Sequence, residues 1–378
     1  MIESGGDEVG YQANVFCNVF RVIAVRTILL VGFCTLQQAT AASDNLSDRV
    51  HRLMSAHYPA DQPGASVLVA RDDQIIFRRA YGLASLELQV PVSPEMVFGL
   101  ASVTKLFTAV AAMMLVEDGR LQLDDEVMDY LPVLDRTEGV TIAHLLSHTS
   151  GLTGPVTEIP GYRDEHFHRE ITSGELIASY ADYPLKFKPG EQFRYSNEGT
   201  ATLARIIEIT SGQSWEAFLK ERIFQPAGMS STFYAGHNRI IPLSVSRYTK
   251  HEQEWKQAGA ASFTRGFGMG ALFSTVDDLF SFYRALISGR LVKAQTLETM
   301  LTPFPLKGDG VSRHGFGFVV TNVHGHRLAG HGGSFSGIST FLVFLPDDGI
   351  FVTVLTNRTP GEHTARDDAM AIIRLMLK

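Results

Sequence analysis

Cysteine is almost missing from this chain: of 378 residues only Cys17 and Cys34 carry a thiol, and none follows position 34. For everything beyond that point, a disulfide framework, thiolate catalysis and a cysteine-ligated metal are excluded. Cys34 is also a poor lipid-attachment site, because bulky Phe33 stands where lipoprotein processing takes a small residue. Basic residues are in the minority, 33 Lys and Arg against 40 Asp and Glu, for a formal net charge of -7. That removes the electrostatic footprint of a nucleic-acid or anionic-membrane partner. The apolar run from Thr27 to Leu36 is only about half the roughly 20 residues a helix needs to cross a bilayer. Internal repeats and low-complexity tracts are absent as well.

What is present near the N-terminus has a different use. Arg21 and Arg26 precede that short run, and Ala39-Thr40-Ala41 supplies small residues behind it, the layout of a cleaved export signal. Residues 1–42 are therefore expected to be a signal peptide and 43–378 one domain, periplasmic or secreted, with no membrane span in the mature chain. Glu3, Asp7 and Glu8 are unusual in such a leader and suggest a translation start downstream of Met1. With 45% hydrophobic and 19% charged residues, the remainder can bury a sizeable core.

Periodicity predicts a short helix from Asn45 to His57, then strands at Ser66–Ala70 and Gln74–Arg78 around an Arg-Asp-Asp turn. Further strands are expected at Phe316–Thr321, Ser339–Leu345 and Ile350–Leu355, the last two joined by Pro346-Asp347-Asp348-Gly349. Between them lies a helical middle with stretches at Ser102–Glu117, Ala201–Ser211 and Asp277–Ile287, and a helix near Thr364–Leu377 closes the chain. This pattern implies an α+β fold: one antiparallel sheet built from N- and C-terminal segments, flanked by helices, with a large helical insertion.

Three short segments carry chemistry. Ser102-Val103-Thr104-Lys105 opens a stretch apolar on nearly every face, where a lysine is out of place unless it has a partner. Positions i and i+3 share a helix face, so the Lys105 amine can reach the Ser102 hydroxyl. A serine needs such a group to take its proton as it attacks, and burial can make a lysine able to do so. Tyr195-Ser196-Asn197 supplies a phenol that can pass a proton and an amide that can hold both the lysine and a substrate carbonyl edge. His331-Gly332-Gly333-Ser334 is expected just ahead of the penultimate strand, as a substrate-binding edge or simply a tight turn. On the first of these readings, the backbone N–H groups of Ser102 and Ser334 would form an oxyanion hole.

Taken together in this order, the three segments resemble the serine beta-lactamase and penicillin-binding protein superfamily, specifically its class C-like and esterase-like branch. Further matches are FGLASVTK around Ser102, HLLSHTSGL from His144, PGEQFRYSNEG around Tyr195, GALFSTVDDL from Gly270 and GHGGSFSGIS from Gly330. The resemblance implies the beta-lactamase/transpeptidase-like fold, Ser102 as nucleophile, Lys105 and Tyr195 sharing general-base and general-acid duty, and Asn197 positioning them. It also implies substrate binding by His331, Gly332, Gly333 and Ser334, with neither cofactor nor metal. Relatives that destroy beta-lactams carry Lys-Thr-Gly at the third segment. His331 in the lysine's place is a poorer anchor for a carboxylate, which favours a small-molecule ester or D-amino-acid peptide as substrate. A beta-lactamase, a D-alanyl-D-alanine carboxypeptidase and, from another class, a non-hydrolytic penicillin-binding sensor or scaffold remain alternatives. A zinc site on His144 and His148 lacks the glutamate of a metalloprotease helix, since Leu145 follows His144. His166 with His168, and His324 with His326, read as solvated loop or strand residues. The loop from Thr153 to Thr172, with Tyr162, His166, Phe167 and His168, is expected to wall the pocket.

Overall fold

Short runs rich in Val, Ile, Leu and Phe, bounded by turn residues and buried along nearly their whole length, suit strands covered on both faces. In the computed structural model, which describes residues 45–159, 166–237, 239–308, 310–359 and 361–378, such runs form the centre of a six-stranded sheet. Its strands are β1 (Ala65–Arg71), β2 (Gln74–Tyr81), β3 (Val319–Val323), β4 (His326–Phe335), β5 (Ile338–Leu345) and β6 (Ile350–Thr356). The order across the sheet is β3-β4-β5-β6-β1-β2, antiparallel throughout. The two ends of the chain meet where β1 pairs with β6, Ala65 opposite Thr356 and Arg71 opposite Ile350. The fold is thus α+β with a sheet assembled from both ends, as the sequence predicts.

The main helices are α1 (Leu46–His57), α2 (Thr104–Glu117), α3 (Asn197–Ser211), α4 (Val276–Ile287) and α5 (Ala365–Met376). Helices α4 and α5 lie against β6. In α2 every residue from Thr104 to Leu115 is buried, so this helix runs through the core and has no solvent face. Helix α3 starts at Ser196, whose Oγ accepts from the Gly199 N–H (2.9 Å), and ends at Gly212 with φ 75°, a left-handed stop that suits glycine. The Thr364–Asp367 capping box starts α5.

Three expectations are corrected. Ser102 lies in a 3₁₀ turn, Ala101–Val103, and the α-helix begins only at Thr104. His331–Ser334 is neither a turn nor a lead-in but the second half of a ten-residue strand, β4. The middle of the chain is not purely helical: it contains the hairpin Tyr248–His251/Glu254–Gln257 and a small sheet of Phe98–Gly99, Leu272–Ser274 and Phe233–Tyr234. The site lies wholly within the compact unit Val50–Lys378. The expected signal peptide and its boundary at residue 42 lie outside the described residues, as does Tyr162. Among the described residues no helix is long and apolar enough to cross a membrane.

Candidate active site

Lys105 is 2% exposed, and its ammonium is held by three acceptors. Nζ donates to Ser102 Oγ (3.2 Å), Asn197 Oδ1 (2.9 Å) and the Met269 carbonyl (2.8 Å). The first of these contacts shows that the i to i+3 relation survives although a 3₁₀ turn replaces the helix at Ser102. The second depends on Ser196 capping α3, which makes Asn197 its first residue and points it at α2. The third, a main-chain oxygen, has no sequence signature. The Lys105 Nζ also lies 4.9 Å from the ring centre of Tyr195.

The turn that presents Ser102 is pressed against the sheet. Thr340 Oγ1, on β5, donates to the Leu100 carbonyl (2.8 Å). A Cβ at Gly333 would collide with that same carbonyl and with the Thr340 hydroxyl, and would lie 3.1 Å from the Ser102 nitrogen. Only glycine permits this approach, which brings β4 beside the Ser102 amide. Strand β3 pairs with β4 only from His326 to Gly330, so beyond Gly330 the outer edge of β4 has no strand beside it among the described residues and borders the site. Ala101, next to the nucleophile candidate, has φ 45°, a left-handed conformation rarely taken by a residue with a side chain.

A cleft of about 950 Å³ opens over this group. Ser102, Tyr195, Asn197, His331, Gly332, Gly333 and Ser334 all line it, with Lys105 directly behind Ser102. All eight residues singled out from the sequence are thereby brought to one place. Of the Thr153–Thr172 loop, Val156 and Phe167 contribute to the wall.

Sequence reasoning missed the floor of the site. His148 and His314 sit with His331 so that one ring nitrogen of each lies within 4.8 Å of the others. The ring of Tyr195 packs on His148 (4.6 Å between centres) and near His331 (5.9 Å). Burial, then the positive charge of Lys105, drives the His331 pKa down to about 3. His314 falls to about 4 through burial, and His148 well below its ordinary value for the same reason. All three are neutral at pH 7. Hydrogen bonds assign two tautomers: His331 Nδ1 donates to the Gly332 carbonyl (2.6 Å), while His148 Nδ1 accepts from the Ser196 N–H (3.2 Å).

The cluster invites a zinc reading, and its chemistry opposes it. With Nδ1 engaged by an N–H, neutral His148 carries its proton on Nε2 and has no lone pair to give. Zinc would also need the nitrogens about 3.4 Å apart, from Zn–N bonds of about 2.0–2.1 Å. The pair His144 and His148 does not share a helix face: the helix there is only Ile142–Leu146, His144 Nδ1 is bound to Thr141, and His148 follows with φ 57°. His326 pairs with Asp348 (2.8 Å), and His324 sits at the β3–β4 turn with φ 52°. HTSG, from His148 to Gly151, was the one available signal for the floor.

The arrangement holds a hydroxyl against an amine, which in turn contacts an amide and faces a tyrosine ring, in a cleft with a strand edge beside it. Known proteins of similar sequence include a penicillin-binding protein of Bacillus subtilis (strain 168), 30% identical over 318 residues, covering 79% of this chain and 68% of that one. The D-aminopeptidase of Gluconobacter oxydans (strain 621H) is 25% identical over 341 residues, covering 87% and 62%. Esterase EstB of Burkholderia gladioli is 38% identical over 179 residues, covering 44% and 45%. The chain therefore spans under two thirds of the D-aminopeptidase and under half of the esterase. Among solved structures, the octameric penicillin-binding protein homologue from Pyrococcus abyssi superposes with a TM-score of 0.73 at 28% identity, covering 88% of this chain and 76% of that one. A penicillin-binding protein from Bacillus halodurans gives 0.74 at 26% identity, covering 86% and 98%. The relatives are serine hydrolases and penicillin-binding proteins, the Beta-lactamase family model matches residues 51–376, and this protein belongs to that family.

Proposed function

We propose that the chain is an exported hydrolase that forms an acyl-enzyme on Ser102 and acts on small esters or D-amino-acid peptides. The observation that carries this reading is the buried Lys105 amine bridging Ser102 Oγ and Asn197 Oδ1. An ammonium that donates to three acceptors has no lone pair, so the proton of Ser102 passes either to Lys105 in its neutral form or to Tyr195 in its phenolate form, whose ring centre lies 4.9 Å from Lys105 Nζ. As the Ser102 Oγ–carbon bond forms, the carbonyl oxygen takes the negative charge, and the N–H groups of Ser102 and Ser334 receive it. The intermediate collapses when the same proton is delivered to the leaving oxygen or nitrogen, whose bond to the carbonyl carbon breaks. Water then repeats the sequence and frees Ser102.

Preference for esters and D-amino-acid peptides over carboxylate-anchored beta-lactams is supported by His331, which is neutral where a lysine would carry charge. The D-aminopeptidase and esterase relatives support the same choice. Export is supported by Arg21, Arg26 and the apolar run ahead of Ala39-Thr40-Ala41. The test is Ser102→Ala assayed on a p-nitrophenyl ester and a D-alanyl peptide. Loss on the order of 10⁶ in rate with the fold retained is expected. Activity within about tenfold of wild type would overturn the proposal, and a folded wild type that turns over nothing would favour a sensor.

A further inference from the structure

The cleft has two chemically different ends. Beside the Ser102 turn it is aromatic: Phe335 packs on Phe167 and Phe263, with ring centres 5.9 and 6.1 Å apart. Past Phe335 the lining turns basic. Thr359 Oγ1 donates to the Phe335 carbonyl (3.1 Å) and accepts from the Gly337 N–H (2.7 Å), and its backbone pairs with Thr249. The Ala365 N–H donates to Ser339 Oγ (3.2 Å). These bonds tie the strand bearing Lys250 and the start of α5, bearing Arg366, to the sheet, and both residues line the same cleft.

Acidic residues outnumber basic ones in this chain by 40 to 33, yet no Asp or Glu lines the cleft among the described residues. Lys250, Arg265 and Arg366 do. Of the nearest acids in sequence, Glu252, Glu254 and Glu362 are exposed and stand outside the lining, while Asp367, also outside it, is bound to Thr364 and feels the charge of Arg366. Arg265 is committed to the Arg169 carbonyl (3.0 Å), whereas Lys250 lies 5.5 Å over the Trp255 ring and Arg366 reaches solvent. A concave surface lined by charge of one sign focuses its field into the cavity and concentrates counter-ions there.

Resting on the hydrolase reading above, we infer that the substrate pairs an apolar body, seated on the phenylalanines, with a carboxylate distal to the scissile carbonyl, held between Lys250 and Arg366. The sequence alone suggested only that His331 is a poorer carboxylate anchor than the lysine of beta-lactam-destroying relatives. The positive charge has a different address, on Lys250 and Arg366 of the same cleft lining.

The experiment compares p-nitrophenyl half-esters of straight-chain dicarboxylic acids with p-nitrophenyl alkanoates of equal chain length. A matching pair of butyrate esters has a carboxylated or a neutral phenol as leaving group. In wild type, kcat/KM for the charged ester is expected to exceed that of its neutral counterpart by about tenfold at one chain length or with the carboxylated phenol. The ratio should shrink as salt rises from about 20 to 300 mM, and fall below one in Lys250→Glu/Arg366→Glu. The Lys250→Gln/Arg366→Gln pair should lie between. A ratio at or below one for every wild-type pair, or a ratio that ignores both charge reversals, overturns the inference while neutral-ester turnover leaves the hydrolase reading standing. No turnover of either series refutes that reading and this inference with it.

Discussion

Replacing His331 with asparagine should flatten the acid side of the stability profile, and the size of the effect follows from burial. His331 is 4% exposed, and its pKa in the folded protein is lowered to about 3, first by desolvation and then by the charge on Lys105. In the unfolded chain the ring titrates near its ordinary value of about 6.5. Above that pH it is neutral in both states and stability is complete. As pH falls below 6.5 the unfolded chain binds a proton that the folded protein refuses, so stability drops by about 1.4 kcal/mol per pH unit until the folded pKa is reached. Between pH 7 and pH 5 this one residue should therefore cost about 2 kcal/mol. Asparagine can still donate to the Gly332 carbonyl but does not titrate. Urea denaturation of wild type and His331→Asn at both pH values isolates the difference, because the other twelve histidines are common to both proteins. The variant should lose about 2 kcal/mol less than wild type on acidification. Equal losses, within about 0.5 kcal/mol, would show that His331 is not held neutral by burial and would refute the reasoning.

The same low pKa implies that the ratio of penicillin to neutral-ester turnover stays flat between about pH 5.5 and 8, since His331 does not become charged there; a ratio rising toward pH 5.5 would contradict it. Lys105→Met and Tyr195→Phe should each cut acylation severely, while the double variant costs far less than the product of the two. Multiplicative effects in that cycle would argue against a shared proton path. Away from the site, Asp368 is fully buried and accepts from Tyr58 Oη (2.6 Å) and pairs with His57 Nδ1 (2.6 Å). Asp368→Ala should lower unfolding free energy by about 2–4 kcal/mol in urea, and a change under about 0.5 kcal/mol would show the cluster to be energetically idle.

Much of the sheet was legible because β1, β5 and β6 are continuous apolar runs bounded by turn residues. Strand β4 was not. His331-Gly332-Gly333-Ser334 has no apolar alternation and two residues of low strand propensity, and it is extended because its partner β5 and the Leu100–Ser102 turn hold it. The serine–lysine contact could be read from spacing, since i and i+3 are neighbours in a 3₁₀ turn as well as in an α-helix. The Met269 carbonyl that completes the lysine's shell could not, because every residue offers one. The histidine floor joins positions 148, 314 and 331 from three separate segments, and proximity of that kind leaves no local pattern. Sequence likewise places a histidine near its solution pKa, while the structure removes solvent from His331 and sets Lys105 close by.

The central claim, that Ser102 is the residue acylated, is tested most directly by mass spectrometry of the intact protein trapped after brief exposure to a p-nitrophenyl ester, followed by peptide mapping. The account predicts a mass increase of one acyl group, carried by the peptide containing Ser102, accumulating in wild type and absent from Ser102→Ala. An acyl group on any other residue, or full turnover with Ser102 never modified, would contradict it.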